Sequence, residues 1–126
     1  MFSLKDLKTK DKGDEAFVKN CLDKIYNEIS DPNFNLIHLS RAVGMSRSSL
    51  YRKIKEVTGL KAVDFMRKAK LQYAAKLLIN CDMTVYEIAW QSGFSDVKYF
   101  SKLFAKEFGN LPKKFKDHSR HEPVLP

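Results

Sequence analysis

One pattern occurs twice in this chain of 126 residues: a short amphipathic segment, a glycine and a longer amphipathic segment. The first copy is "LSRAVGMSRSSLYRKIKEVTG", residues 39–59, and the second is "IAWQSGFSDVKYFSKLFAKEFG", residues 88–109. Apolar residues recur in both at the three- and four-residue spacing of a helix, and a glycine follows each longer segment, as at a helix C-terminus. Two helices joined by a tight glycine turn form a helix-turn-helix. The sequence therefore predicts two such units, at about 36–58 and 84–107.

The segments around this repeat also have helical periodicity. Residues 14–30 predict a first helix, and 61–80 predict a bridging helix about 30 Å long. No β alternation is present, so the predicted fold is all-α, with about seven helices in a domain over 14–116. We expect a flexible lead-in or linker at 1–13, a disordered tail at 117–126, and a core that contains the Phe cluster and Trp90.

Each longer helix of the repeat has an apolar face and a polar face. On the first, Leu50, Ile54 and Val57 share one side at 100° per residue, whereas Ser48, Tyr51, Arg52 and Lys55 lie opposite. On the second, Phe100 and Phe104 point inward, whereas Lys98 and Lys102 point outward. We expect the apolar faces to anchor both helices and the polar faces to bind a partner.

The charge distribution indicates what that partner is. The chain has 23 Lys and Arg against 15 Asp and Glu, a net charge of +8 and a pI near 9.5. Residues 46–76 have a net charge of +7, but 14–31 have −3. Arg and Lys can donate to guanine O6 and N7 in the DNA major groove. We predict double-stranded DNA as the partner, with a second set of residues at its phosphates: Ser46, Arg47, Lys53, Lys55, Ser95 and Lys106.

Other classes of function have less support. The histidines are His38, His118 and His121, and neither a carboxylate pair, a nucleophile motif nor a glycine-rich phosphate loop accompanies them, so we predict that the segment is not an enzyme. Cys21 and Cys81 have no metal-ligand or redox spacing. We expect no metal or cofactor, a cytoplasmic location and no membrane contact. Two alternatives are an RNA-binding domain and a helical protein-interaction module. Against the first, Tyr51 is the one clear outward aromatic that could stack on single-stranded bases.

The sequence resembles the DNA-binding domains of AraC/XylS-type regulators over residues 15–116. The resemblance lies in the first repeat, in "FMRKAKLQYAAKLL" (65–78) and in "VYEIAWQSGFSDVKYFSKLFAKEFGNLPKKF" (85–115). It implies transcription regulation, usually activation, by two helix-turn-helix units that bind adjacent major grooves. The implied base-reading residues, by position, are Ser48, Tyr51, Arg52, Val97, Lys98 and Lys102. Val97 departs from the polar residue often seen at its position, so we expect sequence reading by the second unit to be limited, with a methyl contact and phosphate contacts.

The sequence also resembles the C-terminal output module of hybrid two-component sensors from Bacteroidetes. This resemblance implies an upstream histidine kinase and receiver, control by phosphorylation, and a receiver linker at 1–13. RNA polymerase contact and dimerisation through an upstream region are further expectations. A stand-alone AraC-type regulator is the alternative.

Overall fold

A computed structural model describes residues 12–121, with side chains as far as Asp117. This part of the chain is built from helices and contains no strand, which confirms the predicted all-α fold. No helix between residues 12 and 121 has the length and apolar character needed to cross a lipid bilayer. The seven helices are α1 (Lys12–Asn27), α2 (Leu36–Ala42), α3 (Arg47–Thr58), α4 (Ala62–Asn80), α5 (Val85–Gln91), α6 (Val97–Phe108) and α7 (Pro112–His121).

The short first helix of each unit begins with reciprocal capping. At α5, the Thr84 hydroxyl accepts a hydrogen bond from the Glu87 N–H (3.1 Å), and the Glu87 carboxylate accepts one from the Thr84 N–H (3.3 Å). At α2, Asn35 Oδ1 accepts from the N–H groups of Ile37 and His38, and His38 Nδ1 accepts from the Asn35 N–H. These bonds satisfy donors that a helix N-terminus leaves unpaired. Local sequence therefore determines where both units begin.

Two apolar cores lie along the chain, one for each unit. The first joins α1, α2 and α3 through residues such as Val18, Leu39 and Ile54, and the second joins α5, α6 and α7 through Ile88, Phe104 and the half-buried Phe115. Fully buried side chains of this size stabilise a fold by roughly 1.5–3 kcal/mol each. Each unit therefore has its own hydrophobic anchor.

Helix α4 belongs to both cores. Its first half contributes Phe65, Met66 and Ala69 to the first core, and its second half contributes Leu71, Ala74 and Leu78 to the second. The apolar side therefore changes direction along the helix, and no single stripe runs its full length. At 1.5 Å per residue, 19 residues extend about 28 Å. The helix links the two units through buried contacts rather than through a flexible tether.

Three predictions differ from the structure. Helix α1 runs over Lys12–Asn27, not 14–30, because turns at residues 28–30 precede Asp31-Pro32. Helix α7 continues to His121, so residues 117–121 of the expected disordered tail are helical, while 122–126 lie outside the described residues. The expectation that Trp90 lies in the core is wrong. Its side chain is 45% exposed and packs beside Tyr86, with 6.5 Å between ring centroids.

Candidate nucleic-acid interface

Capping and burial set the position of α3. At its start, the Ser46 hydroxyl accepts a hydrogen bond from the Ser49 N–H (3.2 Å), and at its end Gly59 adopts the left-handed conformation. Leu50 and Ile54 are fully buried and Val57 is nearly so. Because these side chains fix the rotation of the helix, its opposite face must point to solvent.

The exposed face of α3 carries all three residues predicted to read bases in the first unit. Ser48, Tyr51 and Arg52 are exposed, and Tyr51 is 41% accessible. Their spacing over little more than one turn places them on one side of the helix. A guanidinium, a phenol and a small hydroxyl on one exposed helix face can together donate to and accept from base edges.

Helix α6 has the same arrangement with different chemistry. Phe100 and Phe104 are fully buried, and Lys98 and Lys102 are exposed. Val97 is half-buried and packs against the second core. Part of the Val97 side chain therefore contacts the protein core. Of the predicted base-reading residues on this helix, Lys98 and Lys102 are the two that lie in solvent.

The residues predicted to contact phosphates separate into two groups. Ser46 and Arg47 lie at the start of α3, and Ser95 lies just before α6. Asp96, rather than Ser95, caps α6: its carboxylate accepts from the N–H groups of Lys98 (2.9 Å) and Tyr99 (3.2 Å). This first group lies at the N-terminal ends of the two helices.

The second group lies elsewhere. Lys55 donates to the carbonyl oxygen of Gly59 (3.0 Å) at the C-terminal end of α3, and Lys106 is in the last turn of α6. Lys53 faces α1, with its ammonium 4.7 Å from the centroid of the Phe17 ring. The structure thus brings Ser46, Arg47 and Ser95 close to the predicted base-reading ends, and it gives Lys53 and Lys55 contacts within the protein.

A cleft of about 550 Å³ lies between the start of α3 and the start of α6. One wall carries Arg47 and Tyr51 from α3, and the other carries Ser95, Asp96 and Tyr99 from the start of α6. Helix α4 contributes a further set of side chains: Val63, Met66, Arg67 and Lys70. Of the predicted base-reading residues, Tyr51 lines this cleft, which lies between the N-terminal ends of α3 and α6.

Sequence reasoning missed three of the residues in this cleft: Tyr99, Arg67 and Lys70. Tyr99 is 48% exposed, a position that follows from the inward direction of Phe100 and Phe104 one and five residues later. Arg67 and Lys70 contributed to the predicted basic charge, but their position between the units depends on tertiary packing. Among residues 12–117, whose side chains the structure describes, no group of three or more His, Cys, Asp or Glu residues is arranged to hold a metal ion.

Comparison with known proteins identifies relatives of this chain. A family model described as a helix-turn-helix domain matches residues 39–118. The chain is 31% identical to histidine kinase P4 of Formosa agariphila over 104 residues, which are 82% of the chain and 8% of that kinase. The chain thus corresponds to a small part of this much longer protein.

Solved structures share the fold. The C-terminal domain of the two-component response regulator yesN from Fusobacterium nucleatum is 28% identical, with a TM-score of 0.70, and the match covers 83% of this chain and 99% of that one. The DNA-binding domain of the transcriptional factor AdpA, solved in complex with a target DNA, is 20% identical, with a TM-score of 0.73, and the match covers 82% of this chain and 92% of that one. The second likeness establishes the fold alone.

Proposed function

Because the chain belongs to the AraC-type helix-turn-helix family of DNA-binding transcription regulators, we propose that it binds one asymmetric DNA site through α3 and α6 in adjacent major grooves. The observation that carries this proposal is the pair of exposed cationic helix faces on two units whose cores share helix α4. Successive major grooves on one side of B-DNA recur about every 34 Å, and α4 is of comparable length.

Within this proposal the two units have different tasks. Arg52 on α3 suits bidentate bonding to guanine, and Ser48 and Tyr51 supply further polar contacts to base edges. On α6, Lys98 and Lys102 reach guanine acceptors or phosphates, and Val97 is confined to contact with a thymine methyl. We expect α3 to contribute more sequence preference than α6.

The phosphate contacts in this proposal lie at the N-terminal ends of α3 and α6. Ser46, Arg47 and Ser95 hold the sugar–phosphate strands beside each groove and set the register of the protein on the duplex. Lys55 and Lys106 lie at the opposite helix ends, where only a broader contact along the groove would bring them to phosphates.

Selection of bound duplexes from a random pool, at two salt concentrations, tests this function. A motif of two boxes about 10 base pairs apart, with affinity that falls as salt rises, is the expected result. A single box would restrict α6 to phosphate contact. The absence of any enriched sequence would contradict sequence-specific binding by this domain.

The regulatory context of the domain is a second part of the proposal. Similarity to a histidine kinase and to the C-terminal domain of a two-component response regulator supports an output role in a phosphorelay. In that role, upstream phosphorylation would control dimerisation and DNA occupancy, and the bound protein would activate transcription by contacting RNA polymerase. The protein would be located in the cytoplasm, at the chromosome.

The complete natural protein distinguishes this context from a stand-alone regulator. If a receiver precedes the domain, its phosphorylation should increase affinity for the selected motif and transcription of a reporter that carries it. A complete protein without kinase or receiver would contradict the phosphorelay and leave the DNA-binding proposal intact.

A further inference from the structure

The cleft between α3 and α6 contains more positive charge than the proposed base-reading residues account for. Arg67 and Lys70 line it from α4, and Arg47 lines it from the start of α3. Asp96 is the one carboxylate among the described residues that line it, and this group already accepts two backbone hydrogen bonds at the start of α6. Three cations thus border the cleft, against one carboxylate that is engaged in capping.

Lys70 differs from the other two cations in its surroundings. Its side chain is half-buried, and burial lowers the pKa of its ammonium although the nearby Asp31 carboxylate opposes that shift. Among the side chains of residues 12–117 and the backbone of residues 12–121, the ammonium has neither a hydrogen-bond acceptor nor an ion-pair partner in contact. Arg67, in contrast, pairs with Asp64 at 3.2 Å.

The end of the Lys70 side chain lies beside the turn of the second unit. Its Cε and Nζ atoms lie 3.5 Å from the point that a β-carbon on residue 93 would occupy, which is ordinary van der Waals distance. A partly desolvated charge without a close counter-ion lowers the stability of the folded state. A ligand with negative charge would supply the missing partner.

We propose that Lys70 binds a phosphate of the DNA backbone in the stretch of duplex between the two major grooves, a contact that rests on the function proposed above. A duplex that receives α3 and α6 in adjacent major grooves must cross the cleft between the two helices. Between two major grooves on one face of B-DNA lies a minor groove bordered by two sugar–phosphate strands. The charged groups presented to the cleft are therefore phosphodiesters, for which a lysine is a suitable point-charge partner.

This contact would contribute to affinity but not to base preference. Phosphates are present at every sequence, so Lys70 should strengthen binding to selected and unrelated duplexes alike. Release of one counter-ion per neutralised phosphate should appear as part of the salt dependence of binding. These two properties separate Lys70 from a base-reading residue such as Arg52.

Lys70→Met tests the proposal, with Lys76→Met as the matched control. Lys76 is an exposed lysine on the same helix and does not line the cleft. We expect the slope of log affinity against log salt to become shallower by about 1 for Lys70→Met, with the selected motif unchanged. The slope for Lys76→Met should equal that of the wild type. A wild-type slope for Lys70→Met would overturn the proposal.

Replacement of single phosphates by uncharged methylphosphonates provides a test with the wild-type protein. Neutralising one or two phosphates between the boxes should weaken wild-type binding and have little further effect on Lys70→Met. If no central phosphate matters to the wild type, the Lys70 contact is contradicted even where the variant fails to fold. Wild-type protein that selects no bipartite motif would instead contradict the two-groove function itself.

Discussion

The backbone carbonyl oxygen of Ile29 occupies the space in which a β-carbon on residue 93 would lie, so any side chain in place of Gly93 must displace it. The two residues belong to different parts of the fold: Ile29 follows α1, and Gly93 forms the turn of the second helix-turn-helix unit. Their contact is therefore a junction between the units, in addition to α4. It constrains the position of the second turn relative to the first core.

Gly93→Ala should destabilise the protein more than the same change at Gly109. Both glycines have positive φ, +85° and +82°, so alanine costs about 1–2 kcal/mol at either position. At residue 93 the new methyl group must also displace the Ile29 carbonyl, which adds about 1–3 kcal/mol, whereas at residue 109 it enters open space. Urea denaturation of both variants checks the difference. Equal losses would show that the Ile29 contact relaxes without cost.

Arg52 and Lys53 are adjacent cations, but we predict that substitution of Arg52 affects DNA binding and that substitution of Lys53 affects stability. Arg52→Ala should weaken binding by about 1–3 kcal/mol at one base position, with an unchanged unfolding midpoint, because Arg52 is exposed on the outer face of α3. The measurement is affinity for duplexes that carry each of the four base pairs at that position. An unchanged preference would contradict a base-reading role for Arg52.

Lys53→Ala should instead affect folding. Its ammonium lies over the Phe17 ring, an interaction that stabilises a fold by about 0.5–1 kcal/mol. We expect a loss of this size in the free energy of unfolding and an unchanged salt dependence of DNA binding. A double-mutant cycle with Phe17→Leu should show that the two losses are not additive. A shallower salt slope would instead support the predicted contact of Lys53 with a phosphate.

Two substitutions of Asp96 can separate its role as the cap of α6 from the effect of its negative charge on DNA binding. Asn caps helices as well as Asp does, so Asp96→Asn should retain the stability of α6, whereas Asp96→Ala should cost about 1 kcal/mol. Both changes remove a negative charge beside the cleft and should strengthen DNA binding at low salt. Paired denaturation and affinity measurements test this. Weaker binding by Asp96→Asn, with stability retained, would assign the carboxylate itself a role in recognition.

The Cys21 thiol should make stability fall at alkaline pH. Burial raises its pKa to about 11 from an ordinary value of 9.0, although the charge of Lys53 acts in the opposite direction. The folded state therefore retains the thiol proton that the unfolded chain releases above pH 9, and stability falls between about pH 9 and 11. We expect a decrease on the order of 2 kcal/mol.

Cys21→Ala is the control for this pH dependence. The variant retains the lysines and tyrosines that also titrate in alkali, so the difference between its pH profile and that of the wild type isolates the thiol. In the folded wild type, Cys21 should also resist alkylation at pH 8 until the protein unfolds. Rapid alkylation under native conditions would contradict the buried environment.

Much of the fold follows from local sequence. The bounds of α3, Arg47–Thr58, follow from Ser46 before it and Gly59 after it, because capping side chains and positive φ act within one helical turn. Burial of Leu50 and Phe100 likewise follows from helical spacing, and it fixes the outward direction of Arg52 and Lys102. A repeated local pattern is therefore sufficient to predict two helix-turn-helix units and their exposed faces.

Contacts between distant residues were decided only by tertiary structure. Lys53 appears on a basic helix beside Arg52, but it lies over Phe17 because α1 packs against that side of α3. Trp90 has the spacing of a core residue, yet no element covers it within the described part of the chain, and it remains exposed. Helical period predicts which residues share a face, but it does not predict which faces another helix covers. The Ile29–Gly93 junction and the cleft at Lys70 arise from the packing of both units on α4, which no local pattern encodes.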